Sequence, residues 1–395
     1  MNIMQEFFPF FLVLFVGVFF SDIFRRLHMP WVIALLLGGI LIGPDVLGIF
    51  EVDGTIKFIG EIGLVFLMFM AGLETRLSTF KTYRKGLLIL ALLNGLIPMA
   101  VGIGIGVFFG YSLTISILIG IIFVSSSIAV VIPSLEANNM IETKLGGLIM
   151  GAAIVEDILS LVLLSILLQT INTTAAVPLP IFYGLLVTGL IVLRLLLPKI
   201  QWFFSNSIQN SRDLFQQELR SVFVILIGTV IIFELLGLHP IIAGFFAGLV
   251  LSDTLKSEVL LGKIRAISYG IFIPTFFIIV GAETNISVFS QADGVLLLTF
   301  MIVAGSVISK LASGWLGGRL IGFDNRDAIT IGMSKIPQLS TTLAVAFTGA
   351  KLGLLPEELV TAMVILSIIT TFVGPLFIRF SRPVRRKETL TRHMA

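Results

Sequence analysis

Long apolar runs of about 20 residues follow one another along the whole chain, separated by short polar segments. A run of this length spans a bilayer as an α-helix, whereas a membrane β-strand alternates apolar and polar residues. The pattern therefore predicts an all-α polytopic membrane protein with about 13 transmembrane helices. Their approximate centres are residues 16, 38, 66, 98, 123, 157, 188, 227, 245, 275, 306, 338 and 367.

The composition agrees with this class and excludes others. Only 12% of the 395 residues are charged, whereas about a quarter are charged in a soluble domain. The chain has no Cys, and His28, His239 and His393 fall in predicted loops or the tail, so no Cys- or His-based metal site is expected. No GxxxxGK[ST] pattern is present to bind ATP phosphates. We expect neither an enzyme nor a cofactor requirement.

The Lys and Arg residues are distributed unequally between the two sides of the predicted membrane. Of the 26, only Lys57 and Lys351 fall on one side, Lys310 and Lys335 fall inside spans, and all others fall on the opposite side. Because basic loops remain in the cytoplasm, the pattern predicts an N-terminus outside the cell membrane and a C-terminus inside it.

Two pairs of segments look alike at a nearly constant separation. PWVIALLLGGILIG resembles PIIAGFFAGLVLS, with Gly38 and Gly248 lying 210 residues apart. FLMFMAGLET resembles FFIIVGAET, and their last residues, Thr75 and Thr284, are 209 apart. The shift equals an odd number of predicted spans, so the second copy is inverted relative to the first. Inverted repeats are typical of secondary transporters. The alternative is chance similarity among apolar segments.

These patterns define a domain organisation. Residues 1–383 are predicted to form a single transmembrane domain, with one repeat over about 30–200 and the other over about 217–380. Residues 384–395 form a basic cytoplasmic tail. The lipid bilayer is its expected partner, and nucleic acid is not expected to bind.

Two predicted spans contain residues that favour a break in the helix. FVSSSIAVVIPSLE carries Ser125, Ser126 and Ser127, whose hydroxyls compete for backbone hydrogen bonds. GMSKIPQLSTT carries Pro337, which removes a helix hydrogen bond, and Gln338. The two sites match at the repeat offset, so two discontinuous helices are predicted to cross near the membrane centre. The alternative is that each segment is only kinked.

Glu156 and Asp157 stand side by side in the apolar segment GAAIVEDILSLVLLSILL. An ionised side chain deep in a span costs on the order of 3 kcal/mol, so such a group indicates function. Successive helix residues point about 100° apart, so one acid can face a partner while the other faces a cavity. We expect Glu156 to pair with Lys310, which leaves Asp157 to bind either a proton or a hard cation. The alternative is an ion pair that only joins helices.

Other polar residues are candidates for completing the site. Ser126, Ser127 and backbone carbonyls are expected to help Asp157 bind Na⁺, with K⁺ or Li⁺ as substitutes. Lys335 is predicted either to compensate the carbonyl ends of the broken helix or to extend toward the cytoplasm.

Two further functions remain open at this point. A gated cation channel needs a continuous polar path, and the spans offer few polar residues beyond the central cluster. An organic-anion symporter needs a fixed cation for its substrate; Lys310 or Lys335 would serve, but the adjacent acids argue against it.

Several segments together resemble the cation:proton antiporter superfamily, especially its sodium/proton antiporters and the membrane domains of potassium efflux proteins. The similar segments are ALLLGGILIGP, GLVFLMFMAGLET, GAAIVEDILSL, FIPTFFIIVGAET and SKLASGWLGGRLIGFDNRDA. The resemblance implies an inverted-repeat fold with a dimerisation domain and a mobile core domain, elevator-type alternating access, and a homodimer.

The same resemblance implies roles for individual residues. Asp157 matches the essential aspartate that binds the cation or the proton, Glu156 the residue before it, and Lys310 the buried lysine that pairs with that residue. The chain departs from the family pattern in two places: Glu156 stands where Asp or Asn is common, and Ile336, Pro337 and Gln338 stand where Arg-Gly-Glu is frequent.

Overall fold

The computed structural model describes residues 3–26, 30–74, 84–138, 140–141, 143–171, 216–235, 240–252, 257–291 and 294–380, with the single positions 184, 188 and 255. The regular elements in these residues are helices. Their bounds, in chain order, are α1 (Ile3–Arg26), α2 (Trp31–Ile42), α3 (Gly54–Glu74), α4 (Arg84–Phe108), α5 (Leu113–Val124), α6 (Ile128–Ala137), α7 (Lys144–Ile171), α8 (Gln217–Leu235), α9 (Pro240–Leu251), α10 (Glu258–Ile267), α11 (Ile273–Ala282), α12 (Val288–Gln291), α13 (Val295–Leu320), α14 (Asn325–Ser334), α15 (Ser340–Lys351) and α16 (Glu357–Phe380). A π-helical turn at Ser268–Phe272 joins α10 to α11.

The helices confirm an all-helical protein with multiple apolar spans. Within the described residues, seven helical segments are long and apolar enough to cross a membrane: α1, α3, α4, α7, the continuous α10–α11 segment, α13 and α16. Three shorter apolar helices, α2, α5 and α9, accompany them. The span predicted near residue 188 lies almost entirely outside the described residues. The predicted centres near residues 123 and 338 lie beside interruptions between helices.

Glycines allow α2 to pack closely on α11, and α3 on α9. A Cβ at Gly39 would clash with the carbonyl oxygen of Ile278, and a Cβ at Gly248 would clash with that of Phe69. Gly39 and Gly248 are 209 residues apart, and so are Phe69 and Ile278. The two contacts are therefore equivalent. In one the glycine lies in the first half of the chain and the carbonyl in the second, and in the other these positions are reversed.

A second pair of equivalent contacts is formed by α4 packed on α5 and by α13 packed on α14. A Cβ at Gly120 would lie 2.8 Å from the carbonyl oxygen of Met99, and a Cβ at Gly332 would clash with that of Leu311. Both pairs of positions differ by 212 residues. Here each pair of contacting helices lies within one half of the chain, so the two halves repeat the same close packing.

Candidate functional site

Two helical segments are interrupted at matching positions. The first stops at Val124 and resumes at Ile128, with Ser125 and Ser127 in extended backbone conformations. Serine hydroxyls compete with the helix for backbone hydrogen bonds, which favours a stop here. The second interruption separates α14 from α15, and Pro337 within it has no N–H to continue a helix.

The two interruptions lie against each other and satisfy some of the backbone groups that they free. The Ser127 N–H donates a 2.7 Å hydrogen bond to the carbonyl of Pro337. The Gln338 side chain donates in return from Nε2 to the carbonyls of Phe123 and Ser125, both at 3.2 Å. The sequence prediction named Ser125, Pro337 and Gln338 for this region, and all three lie at the contact.

Lys310 occupies the carbonyl end of α5. Its ammonium group donates to the carbonyl of Val124 at 2.8 Å and to that of Ser125 at 2.5 Å, and the side chain is fully buried. A cation is stabilised at the C-terminal end of a helix because the unpaired carbonyls there carry partial negative charge. Lys310 therefore compensates a helix end within the site.

Glu156 is fully buried and accepts hydrogen bonds on both carboxylate oxygens. Oε1 lies 3.0 Å from the ammonium of Lys335 and accepts from the Asn94 amide at 3.0 Å. Oε2 accepts from the hydroxyl of Ser126. A buried carboxylate is tolerated when it is paired and its remaining lone pairs are hydrogen-bonded, and both conditions hold here.

The predicted pairing of Glu156 with Lys310 is therefore wrong: the buried ion pair joins Glu156 to Lys335. The physical reason is that the Lys310 ammonium is already engaged by carbonyls at the end of α5. Lys335 is fully buried, so it does not extend toward the cytoplasm, and its second hydrogen bond goes to the carbonyl of Ile149 at 3.1 Å. It ties the end of α14 to α7.

Asp157 differs from its neighbour in that part of its carboxylate is unsatisfied. The side chain is 3% exposed and lies near Thr341 at the start of α15. Oδ1 has no hydrogen-bond partner among the described residues, nor does the hydroxyl of Ser127. Buried polar atoms are nearly always paired in native proteins, so these two oxygens are candidate ligands for a transported ion or proton.

The predicted serines differ in their contacts, and two polar residues of the site were not predicted. The Ser127 hydroxyl has no partner in the part of the chain that the structure describes, whereas the Ser126 hydroxyl donates to Glu156. Asn94 and Ser313 were missed by the sequence reasoning. An amide inside the apolar run of α4 was the available signal for Asn94, since polar groups in spans are commonly functional.

Comparisons with known proteins identify similar sequences and structures over almost the whole chain. Residues 10–381 match the family described as "Sodium/hydrogen exchanger, transmembrane". A probable Na⁺/H⁺ antiporter 3 of Methanocaldococcus jannaschii is 33% identical over 94% of this chain and 96% of its own. A Na⁺/H⁺ antiporter of Enterococcus hirae is 30% identical over 91% of this chain and 94% of its own.

Two further relatives extend the comparison. The Na⁺/H⁺-K⁺ antiporter GerN of Bacillus cereus is 28% identical over 95% of this chain and 96% of its own. The solved structure of the sodium proton antiporter MjNhaP1 from M. jannaschii has a TM-score of 0.70 at 19% identity, covering 96% of this chain and 97% of that one. The latter likeness concerns the fold alone.

Proposed function

Since the chain belongs to the sodium/hydrogen exchanger family, we propose that it is an antiporter that exchanges Na⁺ for H⁺ across a membrane, with Asp157 as the group that binds either ion. The observation that carries the assignment to Asp157 is the buried Oδ1 without a hydrogen-bond partner among the described residues. A single carboxylate oxygen cannot hold a proton and a metal ion at once, so binding of one ion excludes the other. Transport is not an enzymatic reaction.

The surrounding residues supply the electrostatic setting for this exchange. Ser127 adds a hydroxyl oxygen, a ligand that Na⁺ accepts, and Thr341 lies near the Asp157 carboxylate. Lys310 binds carbonyls at the end of α5, and Lys335 binds Glu156, so both lysines are engaged within the protein. Asp157 loaded with Na⁺ and Asp157 loaded with a proton have the same net charge, so we infer that the site crosses the membrane carrying one or the other.

The finer architecture belongs to the same proposal. We infer inverted repeats, two crossed discontinuous helices, and a dimerisation domain beside a mobile core domain that moves as an elevator. The glycine contacts support the repeats, because the contact of Gly39 with Ile278 and that of Gly248 with Phe69 occupy equivalent positions in the two halves. The Ser127–Pro337 hydrogen bond supports the crossing.

Assembly and placement are also proposed. We infer a homodimer from the resemblance to the cation:proton antiporter superfamily. From the Lys and Arg distribution we infer that it lies in the cell membrane with its N-terminus outside and its C-terminus in the cytoplasm. The basic tail at residues 384–395 lies outside the described residues.

K⁺ is the second candidate for the transported cation. The specific observation in its favour is the name of the GerN relative, which is a Na⁺/H⁺-K⁺ antiporter. The choice between Na⁺ and K⁺ is decided by measuring both ions in the same vesicles.

The test uses purified protein in liposomes loaded with a pH-sensitive dye. After a proton gradient is imposed, addition of Na⁺ and then of K⁺ is expected to move protons in the wild type but not in Asp157→Asn. Ser165→Ala is the matched control, because Ser165 is a buried side chain on the same helix whose hydroxyl has no partner among the described residues. Cation flux without proton movement would instead favour a channel and contradict antiport.

A further inference from the structure

A buried amide, itself bonded by a hydroxyl, supports the same Glu156 oxygen that binds Lys335. Asn94 on α4 is fully buried, and its Nδ2 lies 3.0 Å from Glu156 Oε1. Its Oδ1 accepts from the hydroxyl of Ser313 on α13 at 2.7 Å. Ser313 is also fully buried, and the carbonyl of Lys310, one turn earlier in the same helix, is an alternative acceptor for the same hydroxyl at 3.1 Å. The chain of contacts thus links α13 to α4 and α4 to α7.

We propose that Asn94, oriented by Ser313, is a positioning residue that keeps the Glu156 carboxylate turned to Lys335, so that Asp157 alone exchanges ions. The proposal rests on the function proposed above. Asn94 touches neither ion and acts through Glu156.

The hydrogen bonds of Glu156 carry the argument. Its Oε1 receives two donors, one from Lys335 and one from Asn94, and its Oε2 receives the hydroxyl of Ser126. A carboxylate with donors on both oxygens is stabilised in its ionised form and is held in one orientation. Asp157, next to it in the chain, has an oxygen with no such donor. The two adjacent acids are thus made unlike by their surroundings.

Loss of the Asn94 amide should loosen the Glu156 carboxylate. Without it, Glu156 keeps one donor on Oε1, from Lys335, and one on Oε2, from Ser126. The carboxylate is then held less firmly toward Lys335 and can turn toward Asp157, the next residue in the helix. Na⁺ binding at Asp157 is therefore expected to change.

The experiment is a double-mutant cycle on the full-length protein in liposomes. Asn94→Leu removes the donor at similar volume, and we expect about a tenfold change in the Na⁺ KM with little change in the maximal rate. In the Glu156→Gln background, adding Asn94→Leu should change neither quantity, since the carboxylate that Asn94 positions is gone. Thr299→Val, at a buried hydroxyl of α13 without a partner among the described residues, is the control and should leave both quantities unchanged.

A second readout does not depend on transport. The infrared carboxylate band that Glu156→Gln removes should be shifted in Asn94→Leu, because the carboxylate has lost one hydrogen-bond donor. Equal effects of Asn94→Leu in both backgrounds, or an unchanged infrared spectrum, would overturn the proposal. A wild type that moves no protons with Na⁺ would contradict the proposed function, while the infrared result would still decide the role of Asn94.

Discussion

At the scale of single residues, the two buried lysines have different partners, and their loss should have different consequences. Removing one member of a buried ion pair costs about 3–5 kcal/mol, because the other charge stays buried without compensation. Lys335→Met is therefore expected to lower the thermal unfolding midpoint in detergent strongly, since it strands Glu156. Adding Glu156→Gln should restore much of that loss, because the stranded charge is removed as well.

Lys310→Met is the matched control for this prediction. Lys310 binds the carbonyls of Val124 and Ser125, so its loss should not be relieved by Glu156→Gln. If Glu156→Gln rescued Lys310→Met and left Lys335→Met unchanged, the pairing seen in the structure would be wrong and the one expected from sequence would be right.

The sequence could identify these charged residues but could not pair them. Charge inside an apolar run is a local signal, and it located Glu156, Asp157, Lys310 and Lys335. Which ammonium reaches which acceptor depends on where helices far apart in sequence meet. Lys335 reaches its partners where α14 meets α7, and Lys310 reaches its partners where α13 meets the end of α5. A single sequence carries no direct record of where these helices meet.

At the scale of helices, the interruptions were predictable because their causes are local. A run of serines and a proline act within one or two turns, so the stops near Ser125 and Pro337 followed from residue chemistry. The register of the repeat was harder. The structure relates the halves by 209 residues at α2 and α3 but by 212 at α4 and α5. The connection from α11 to α13 is three residues longer than that from α3 to α4, which accounts for the change.

The exchanged glycine contacts lead to a prediction about helix packing. Gly39→Ala and Gly248→Ala each place a methyl group against a backbone carbonyl, and overpacking of this kind destabilises by about 1–3 kcal/mol. We expect similar decreases in thermal midpoint for the two variants, because they occupy equivalent positions. Gly104→Ala, inside α4 with open space around its Cβ position, should be neutral or slightly stabilising.

Unequal effects of the two glycine variants would count against their equivalence. A normal midpoint in Gly39→Ala and a large decrease in Gly248→Ala would mean that only α9 is closely packed on its neighbour. The measurement therefore tests the internal symmetry through stability alone, with no need for transport.

At the scale of the whole molecule, polar contacts join two sets of helices at one end. Lys351 at the end of α15 pairs with Glu61 on α3. Asn285, after α11, donates to Glu357 on α16 at 2.9 Å, and its carbonyl accepts from Thr361 at 3.0 Å. By the proposed orientation this is the outer end. We propose that α3 and α11 belong to the dimerisation domain and α15 and α16 to the core domain, so that these contacts bridge the two.

These contacts must open if the core domain moves past its neighbour in each transport cycle. Both side chains of the Lys351–Glu61 pair are about half exposed, and exposed ion pairs are worth about 0–1 kcal/mol. The Lys351–Glu61 contact at the outer end is therefore weak enough to break in each cycle. Because the chain has no cysteine, an introduced pair can be cross-linked without competing thiols.

We expect a short, reducible thiol cross-linker between Glu61→Cys and Lys351→Cys to stop Na⁺-dependent proton movement, and reduction to restore it. The matched control joins Tyr111→Cys to Glu358→Cys, whose native side chains are hydrogen-bonded at 3.2 Å within the proposed core domain. That cross-link should leave exchange intact, because its two ends move together. Undiminished exchange by the cross-linked Glu61–Lys351 pair would mean that α3 and α15 stay together throughout the cycle, and the proposed motion would then be wrong even if antiport itself were measured.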